Sequence, residues 1–402
     1  MEAISKMSQR SATDGKPAST GVIPSAARHQ VTVTRSAAGF ASLASEWDRL
    51  LACSATNSVF LRSGWLRAWL DTYAGDAEVL VPQVWRDGTL VAAAAFQVRH
   101  GIVEFVGKGR SDYLDILLDT VLDTAEADLA TGALLDAARA AVKGFRCFIF
   151  QRIPVENGTM ARLLRLTPRY FTLRRGVEVA PSMEMHAAPE ALRKKSLRRH
   201  ERGLQKLGPL HVETFTRAAD ILPRLDNFFE QHVRRRAGTD HPSLFLDNAN
   251  REFYRKITQN LDGTGCLRYT ELRLDGRLVA SHLGFFDGAR FTWYKPAFDP
   301  ALAQHSPGEV LLKVLIERAC ADRAAEFDFT IGDEAFKSRF ATRVRDIAQL
   351  HVTDSHARDW LLRAQMHCTK ALRNVVGTKH FNRIRRVGRR DARAPRAEGA
   401  QP

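Results

Sequence analysis

One order of elements occurs twice in this chain, and that repetition limits the fold more than any other feature. Ser58-Val59-Phe60-Leu61 precedes a helical run through Trp65, Leu66, Trp69 and Leu70, and Ser243-Leu244-Phe245-Leu246 precedes a run through Phe253, Tyr254 and Ile257. Each is followed by a strand-like run, an Asp-Gly pair and a second strand-like run. The first set is residues 79–85, Asp87-Gly88 and 90–98; the second is 266–274, Asp275-Gly276 and 278–286. Asp-Gly between two such runs signals a hairpin, because both residues tolerate the positive φ that a tight turn needs. Each half then has an amphipathic helix and a short apolar strand, at 125–143 and 145–150 and again at 309–323 and 326–330. This order predicts a mixed α/β (α+β) fold with hairpins and one parallel crossover per half. It would be built as two tandem lobes, each a mixed, mostly antiparallel sheet flanked by helices.

The rest of the chain frames those lobes. Residues 1–28 are rich in Ser, Ala, Thr and Gly and read as a disordered extension without the apolar core of a secretory signal. The lobes fall at about 29–180 and 211–354, with a basic linker at 181–210 and a basic helix and tail at 355–402. Lys plus Arg is 60 against 45 Asp plus Glu, a formal charge of +15. Much of the excess lies in the tail (Arg383, Arg385, Arg386, Arg389, Arg390, Arg393, Arg396) and in the run Arg193, Lys194, Lys195, Arg198, Arg199, Arg202, Lys206. Such runs are either solvated faces or contacts for a polyanion: nucleic acid, anionic lipid or an anionic substrate. The five cysteines are scattered and form no CxxC pair, so neither a disulfide framework nor a zinc site is expected, and a reducing, cytoplasmic compartment is the simplest reading. No run approaches the ~20 apolar residues of a membrane span. There is no HExxH, no Walker loop and no readable Ser-His-Asp or Cys-His set, so no metal is expected. Cys266 and Cys320 read as buried small apolar groups.

The most informative segment lies in the second half. Phe291-Thr292-Trp293-Tyr294-Lys295 reads as a third strand, followed by Phe298-Asp299-Pro300 and then Gln304-His305-Ser306-Pro307-Gly308-Glu309 ahead of Val310, Leu311, Val314, Leu315 and Ala319. Ser306 fits an N-cap, Pro307 the first helical position and Glu309 the third, a capping-box spacing. With Gly308 leaving the helix start bare, the free N–H groups and the helix dipole suit a phosphate. A well-capped helix with no ligand fits the same residues.

Three antiparallel strands, that helix, then Phe327-Asp328-Phe329, a helix near 334–340 and a strand at 347–352 resemble the GNAT acyltransferase superfamily. Three phrases resemble its two-lobed branch associated with bacterial cellulose and exopolysaccharide biosynthesis, which is related to the Fem-type aminoacyltransferases. They are Tyr294-Lys295-Pro296-Ala297-Phe298-Asp299-Pro300 through Ser306-Pro307-Gly308, Phe327-Asp328-Phe329-Thr330-Ile331-Gly332-Asp333-Glu334-Ala335-Phe336-Lys337, and Gly107 through Asp112-Tyr113-Leu114-Asp115. The resemblance covers about residues 35–352. It implies an acyltransferase using acetyl-CoA or another acyl-CoA in the second lobe, with Trp293, Tyr294, Ser306, Pro307, Gly308 and Glu309 at the cofactor. The acceptor would be an amine or hydroxyl on a small molecule or saccharide.

Acyl transfer from a thioester needs two aligned reactants, a donor for the developing oxyanion and a base. In the GNAT arrangement a backbone N–H of 291–295 would be that donor, and Tyr294 either protonates the leaving thiolate or is a plain aromatic strand residue. His282 is a base candidate and equally a core histidine held by a backbone group. Asp333 and Glu334 follow a strand end, where α/β sites form, and equally suit capping of the next helix. Lys337 either pairs with Glu334 or holds an anionic ligand. Two rivals remain open: an aminoacyltransferase fed by charged tRNA, and a basic nucleic-acid or membrane-binding module on the same scaffold.

Overall fold

The computed structural model describes residues 29–166 and 171–353, with Ser355, Ala357, Trp360 and Ala364 beyond. The expected N-terminal extension and arginine tail lie outside the described residues. In chain order the strands are β1 (His29–Thr34), β2 (Glu78–Arg86), β3 (Thr89–Ala93), β4 (Phe96–Arg99), β5 (Ile102–Phe105), β6 (Leu117–Leu118) and β7 (Cys147–Pro154). Then come β8 (Phe171–Glu184), β9 (Leu210–Phe215), β10 (Leu267–Leu274), β11 (Arg277–Phe286), β12 (Arg290–Phe298), β13 (Glu326–Asp328) and β14 (Arg343–Thr353). The helices that matter below are α1 (Ser63–Trp69), α2 (Thr124–Ala141), α3 (Lys195–Gln205), α4 (Leu225–Arg236), α5 (Asn248–Asn260), α6 (Pro307–Ala321) and α7 (Ala335–Ser338).

Both Asp-Gly turns form as their chemistry requires. Asp87 and Gly88 have φ of 50° and 79°, Asp275 and Gly276 47° and 76°, and each pair joins antiparallel neighbours, Arg86 to Thr89 and Leu274 to Arg277. The repeated entry phrase is also one device used twice. Ser58 Oγ accepts from the Phe60 amide at 3.4 Å, and Ser243 Oγ accepts from the Phe245 amide at 3.1 Å. Each half has its parallel pair across a helix, β5 with β7 after α2 and β12 with β13 after α6. The expected strand at 90–98 is interrupted at Ala94-Ala95, so that β3 and β4 pair successive stretches of β2.

The two lobes share one sheet. Its order is β6-β3-β2-β4-β5-β7-β14-β8-β13-β12-β11-β10-β9, with β1 on β2. The C-terminal strand β14 lies between β7 and β8 and joins the halves. The stretch 181–210, expected as a linker, is folded instead. Pro181–Glu184 complete β8 against β13 and β14, and α3 buries Leu197 and Leu204 in a core with Leu311 and Leu315 of α6. Across the lobes α1 meets α5 so closely that a Cβ on Gly64 would lie 2.8 Å from the Asn260 carbonyl. Tyr73 Oη donates to Asn250 Oδ1 at 2.7 Å, and Tyr113 Oη to Asp328 Oδ1 at 2.8 Å. Trp65 is fully buried against Phe253, Phe285 and Tyr294, so side chains of both lobes form one core. Cys266 is buried; Cys320, expected inside, is exposed. Among the described residues no helix is long and apolar enough to cross a membrane.

Candidate active site at the split between two strands

The site begins with a β-bulge. Leu283 pairs with Lys295 and Phe285 with Thr292, so Trp293 and Tyr294 of β12 face the single residue Gly284 of β11. A Cβ on Gly284 would collide with the His282 ring and come within 2.5 Å of the Thr292 carbonyl. His282 therefore fills the place a side chain would take. Its Nε2 accepts from the Tyr294 amide at 3.1 Å, and its ring stacks on Trp293 with centroids 4.7 Å apart.

Bulged in this way, β12 parts from its parallel neighbour. β13 pairs with it only at Arg290, Phe291 and Thr292 and stops at Asp328. Thr330 then takes φ 58°, and the Phe329 and Gly332 amides donate instead to the Pro181 and Val179 carbonyls of β8. Between the diverging chains lies a cavity of about 240 Å³. Trp293, Tyr294, Lys295 and Pro296 form one wall, and Phe329, Thr330 and Ile331 with Glu334 and Lys337 another. The end of α4 adds His232, Arg235 and Arg236, and the first lobe adds Asp112. Neither lobe completes the cavity alone.

Charge in the cavity follows from burial. His232 Nδ1 lies 2.8 Å from Ser243 Oγ, and burial, helped by Lys295, Arg235 and Arg236, pushes its pKa down to about 3. Burial also lowers Arg235, to about 10. Lys295 lies 3.9 Å above the Tyr294 ring centroid. Burial pulls its pKa down, Asp112 acts against that, and Lys337, Arg110 and Arg236 add to it.

The structure sorts the expected site residues. Trp293 and Tyr294 line the cavity. The Tyr294 hydroxyl, expected to protonate a thiolate, donates to the Arg110 carbonyl at 2.8 Å and accepts from Tyr254 Oη at 3.1 Å. Burial first, then the neighbouring Tyr254 and Asp112, raises its pKa well above the usual phenol. Its amide is engaged by His282, so the Tyr294 N–H is not the free donor that the strand was expected to offer. His282 is the core histidine of the two readings: fully buried, outside the cavity lining, and lowered by burial to about 3. Asp333 is exposed, is not a cavity-lining residue, and makes no side-chain cap for α7.

Lys337 makes the expected pair with Glu334. It is 4% exposed, and its Nζ donates to the Ile331 carbonyl at 2.9 Å and pairs with Glu334 at 2.9 Å, across Gly332 at φ 138°. A lysine thus holds the loop that forms one cavity wall. Lys337→Met is expected to lower unfolding stability by about 2 kcal/mol, the cost of leaving a buried carbonyl unpaired while the half-exposed Glu334 rehydrates. Urea denaturation checks this, and an unchanged midpoint would show that the loop keeps its shape without the lysine.

The Ser306–Glu309 segment does not line the cavity. Pro307 opens α6 as expected, but Ser306 is left-handed (φ 51°) and its side chain makes no cap. The Pro300–His305 turn, capped by Asp299, brings the chain in at a different angle. Glu309, expected to close the box, pairs with His200 of α3 at 3.2 Å and with Arg339 at 2.7 Å. Gly308 faces Phe298, whose ring would lie 3.1 Å from an added Cβ. The splayed half of β12 therefore runs from the cavity at Trp293 to the start of α6 at Phe298, about 16 Å by strand rise.

Sequence reasoning missed Asp112, Lys295, Arg235, Arg236 and His232 as site residues. Asp112 and Lys295 stood inside quoted phrases without a role, and nothing local marks Arg234-Arg235-Arg236 as more than a basic helix end. Among the described residues no group of His, Cys, Asp or Glu is arranged to hold a metal.

Comparison with known proteins places this geometry. The acetyltransferase (GNAT) domain family matches residues 191–338, the segment that contains the bulge, the split and α6. No curated protein matches the chain. Among solved structures, FemX is similar at 13% identity and a TM-score of 0.56, over 76% of this chain and 95% of FemX. The C-terminal domain of a putative lysylphosphatidylglycerol synthetase from Agrobacterium fabrum is similar at 14% identity and a TM-score of 0.52, over 81% of this chain and 96% of that one. L-PGS from Bacillus licheniformis is similar at 13% identity and a TM-score of 0.52, over 84% and 96%. At such identities the likeness is one of fold: the chain has a GNAT-like fold.

Proposed function

We propose that the protein is an acyl-CoA-dependent acyltransferase that carries an acyl group from acetyl-CoA, or another acyl-CoA, to an amine or hydroxyl in the inter-lobe cavity. The supporting observation is the split between β12 and β13, which opens a cavity beside the strand that leads to the start of α6. The donor's diphosphate would lie at Ser306–Glu309, where the Gly308 amide and the helix dipole favour negative charge. Its arm would follow β12 toward Trp293, since the 16 Å path suits an extended thioester chain. Asp112, the carboxylate of the first lobe in the cavity, takes the proton from the attacking nucleophile. The GNAT match and the fold both favour this reading. The expected place in polysaccharide or envelope synthesis rests on the resemblance of the quoted phrases.

The test separates binding from folding. Acetyl-CoA titrated into the folded protein should saturate by calorimetry and raise the melting temperature. Gly308→Asp puts a carboxylate in the first turn of α6, where it suits the helix dipole but repels a diphosphate. The added Cβ meets the Phe298 ring at 3.1 Å, so Gly308→Ala is the control, and Gly308→Asp should bind acetyl-CoA roughly tenfold or more weakly than Gly308→Ala. Absence of saturable binding by the folded parent ends the acyl-CoA assignment.

A second reading has one observation of its own. Lys195, Arg198, Arg199, Arg202 and Lys206 form an exposed cationic face on α3, beside the His200–Glu309 pair at the start of α6. That face suits a charged-tRNA donor. Steeply salt-dependent tRNA binding, lost when these residues become Gln, would favour it over acyl-CoA.

A further inference from the structure

The cavity holds more positive charge than its own carboxylates answer. Arg235, Arg236, Lys295 and Lys337 line it, against Asp112 and Glu334. Part of that charge is committed to the protein itself. Lys337 is taken by Glu334 and the Ile331 carbonyl. Arg235 donates to the Pro296 carbonyl at 2.6 Å and lies over the Phe298 ring at 4.7 Å. His232 is held neutral and bonded to Ser243, and His241 stands exposed at the rim. Arg236, Lys295 and Asp112 remain. Among the described residues Arg236 and Lys295 have no carboxylate within ion-pair distance. Lys295 is nonetheless half-buried over an aromatic floor, with Arg236 and Lys337 repelling its charge. Cations gathered in a recess of low dielectric are costly unless a counter-charge joins them.

We propose that the acceptor itself is anionic: it carries a phosphate, sulfate or carboxylate group that sits between Arg236 and Lys295, while its nucleophile faces Asp112. The word acceptor rests on the acyl-transfer reading above; the anion site rests on the cavity alone. The planar guanidinium of Arg236 suits two parallel hydrogen bonds to such a group, and Lys295 adds a point charge. An anionic site here is separate from any place for the donor's phosphates, because Ser306–Glu309 are outside the cavity lining, at the far end of the splayed strand. Asp112 gives the site its polarity, cationic on the α4 side and anionic on the first-lobe side, and an amine carrying an anionic group matches both ends.

Inorganic phosphate is the probe, titrated by calorimetry into the full-length protein at constant ionic strength. Saturable binding is expected. Arg236→Gln should weaken it roughly tenfold or more, the usual worth of a charge-assisted hydrogen bond. Arg236→Lys, which keeps the charge and loses the fork, should fall between. Arg234→Gln, exposed on the same helix and outside the cavity lining, should leave binding unchanged. No saturable phosphate binding by the folded protein overturns the proposal. Equal weakening by Arg234→Gln also overturns it, because the attraction is then diffuse. Acetyl-CoA is titrated with and without saturating phosphate. Independent binding of both supports an acceptor site, and displacement of phosphate by acetyl-CoA overturns that assignment in favour of the donor. Phosphate binding without acetyl-CoA binding keeps the anion site and removes the acyl-CoA reading instead.

Discussion

Lowering the pH from 7 to 5 is expected to remove about 4 kcal/mol of unfolding stability through two buried histidines. His232 and His282 are both held neutral in the folded protein, with pKa values pushed down to about 3, mainly by burial. Unfolded, each returns to the ordinary imidazole value near 6.5. Between those values the unfolded chain binds more protons than the folded one, so stability is full above pH ~6.5 and falls as pH drops toward 3. Each histidine contributes about 2 kcal/mol over the two units, with a limiting slope of about 1.4 kcal/mol per unit. Asp115 and Asp328 oppose the trend: burial raises both carboxyls, so the folded state holds their protons more tightly. A variant isolates the histidine effect. In His282→Gln the side-chain oxygen can still accept from the Tyr294 amide, but the group no longer titrates. The slope of stability against pH from urea midpoints should fall by about 1.4 kcal/mol per unit below pH 6. The variant should still turn over at pH 8, because the ring is fully buried outside the cavity lining. An unchanged slope would refute the buried-neutral assignment, and abolished turnover in a stable variant would restore His282 as the base.

How much of this was legible beforehand depends on how local the determinant is. The two hairpins were, because the positive φ they need is carried by Asp87-Gly88 and Asp275-Gly276 themselves. The parallel crossovers were, because the strand–helix–strand order leaves few alternatives. The place of β14 was not: nothing within Arg343–Thr353 states that it will separate β7 from β8, a choice made by long-range pairing. Ser306 shows the opposite error. Its spacing to Glu309 is that of a capping box, but the capped turn before it sets φ at 51°, and distant His200 and Arg339 claim the glutamate. His282 could be read as core or catalytic from alternation alone, and only Gly284 opposite the bulge decides. The cavity residues come from separate stretches near 112, 235, 295 and 334. The stretches near 295 and 334 stood out in the sequence, those near 112 and 235 look ordinary in their own segments, and the folded sheet makes all four neighbours.

Asp112→Asn should lower kcat by about 10²–10⁴-fold, the usual contribution of a positioned general base. The substitution keeps shape and removes only the negative charge. Asp112 lines the cavity from the first lobe, is half-buried, and shares that lining with Arg236 and Lys295, which among the described residues have no carboxylate within ion-pair distance. Acetyl-CoA affinity should not change, because the donor's proposed contacts at α6 lie outside the cavity lining. A second consequence follows from electrostatics. Asp112 favours the charged form of Lys295, so its loss should move the Lys295 pKa further down. The kcat and acceptor KM of the variant then separate three roles. A fall in kcat with the acceptor KM unchanged identifies the base. A rise in KM with kcat unchanged means that Asp112 holds the acceptor's ammonium group instead. If neither parameter moves, the proton leaves by another route. Lys295 is then the next group to replace, since loss of the carboxylate makes its amine a stronger candidate by favouring the neutral form that can accept a proton.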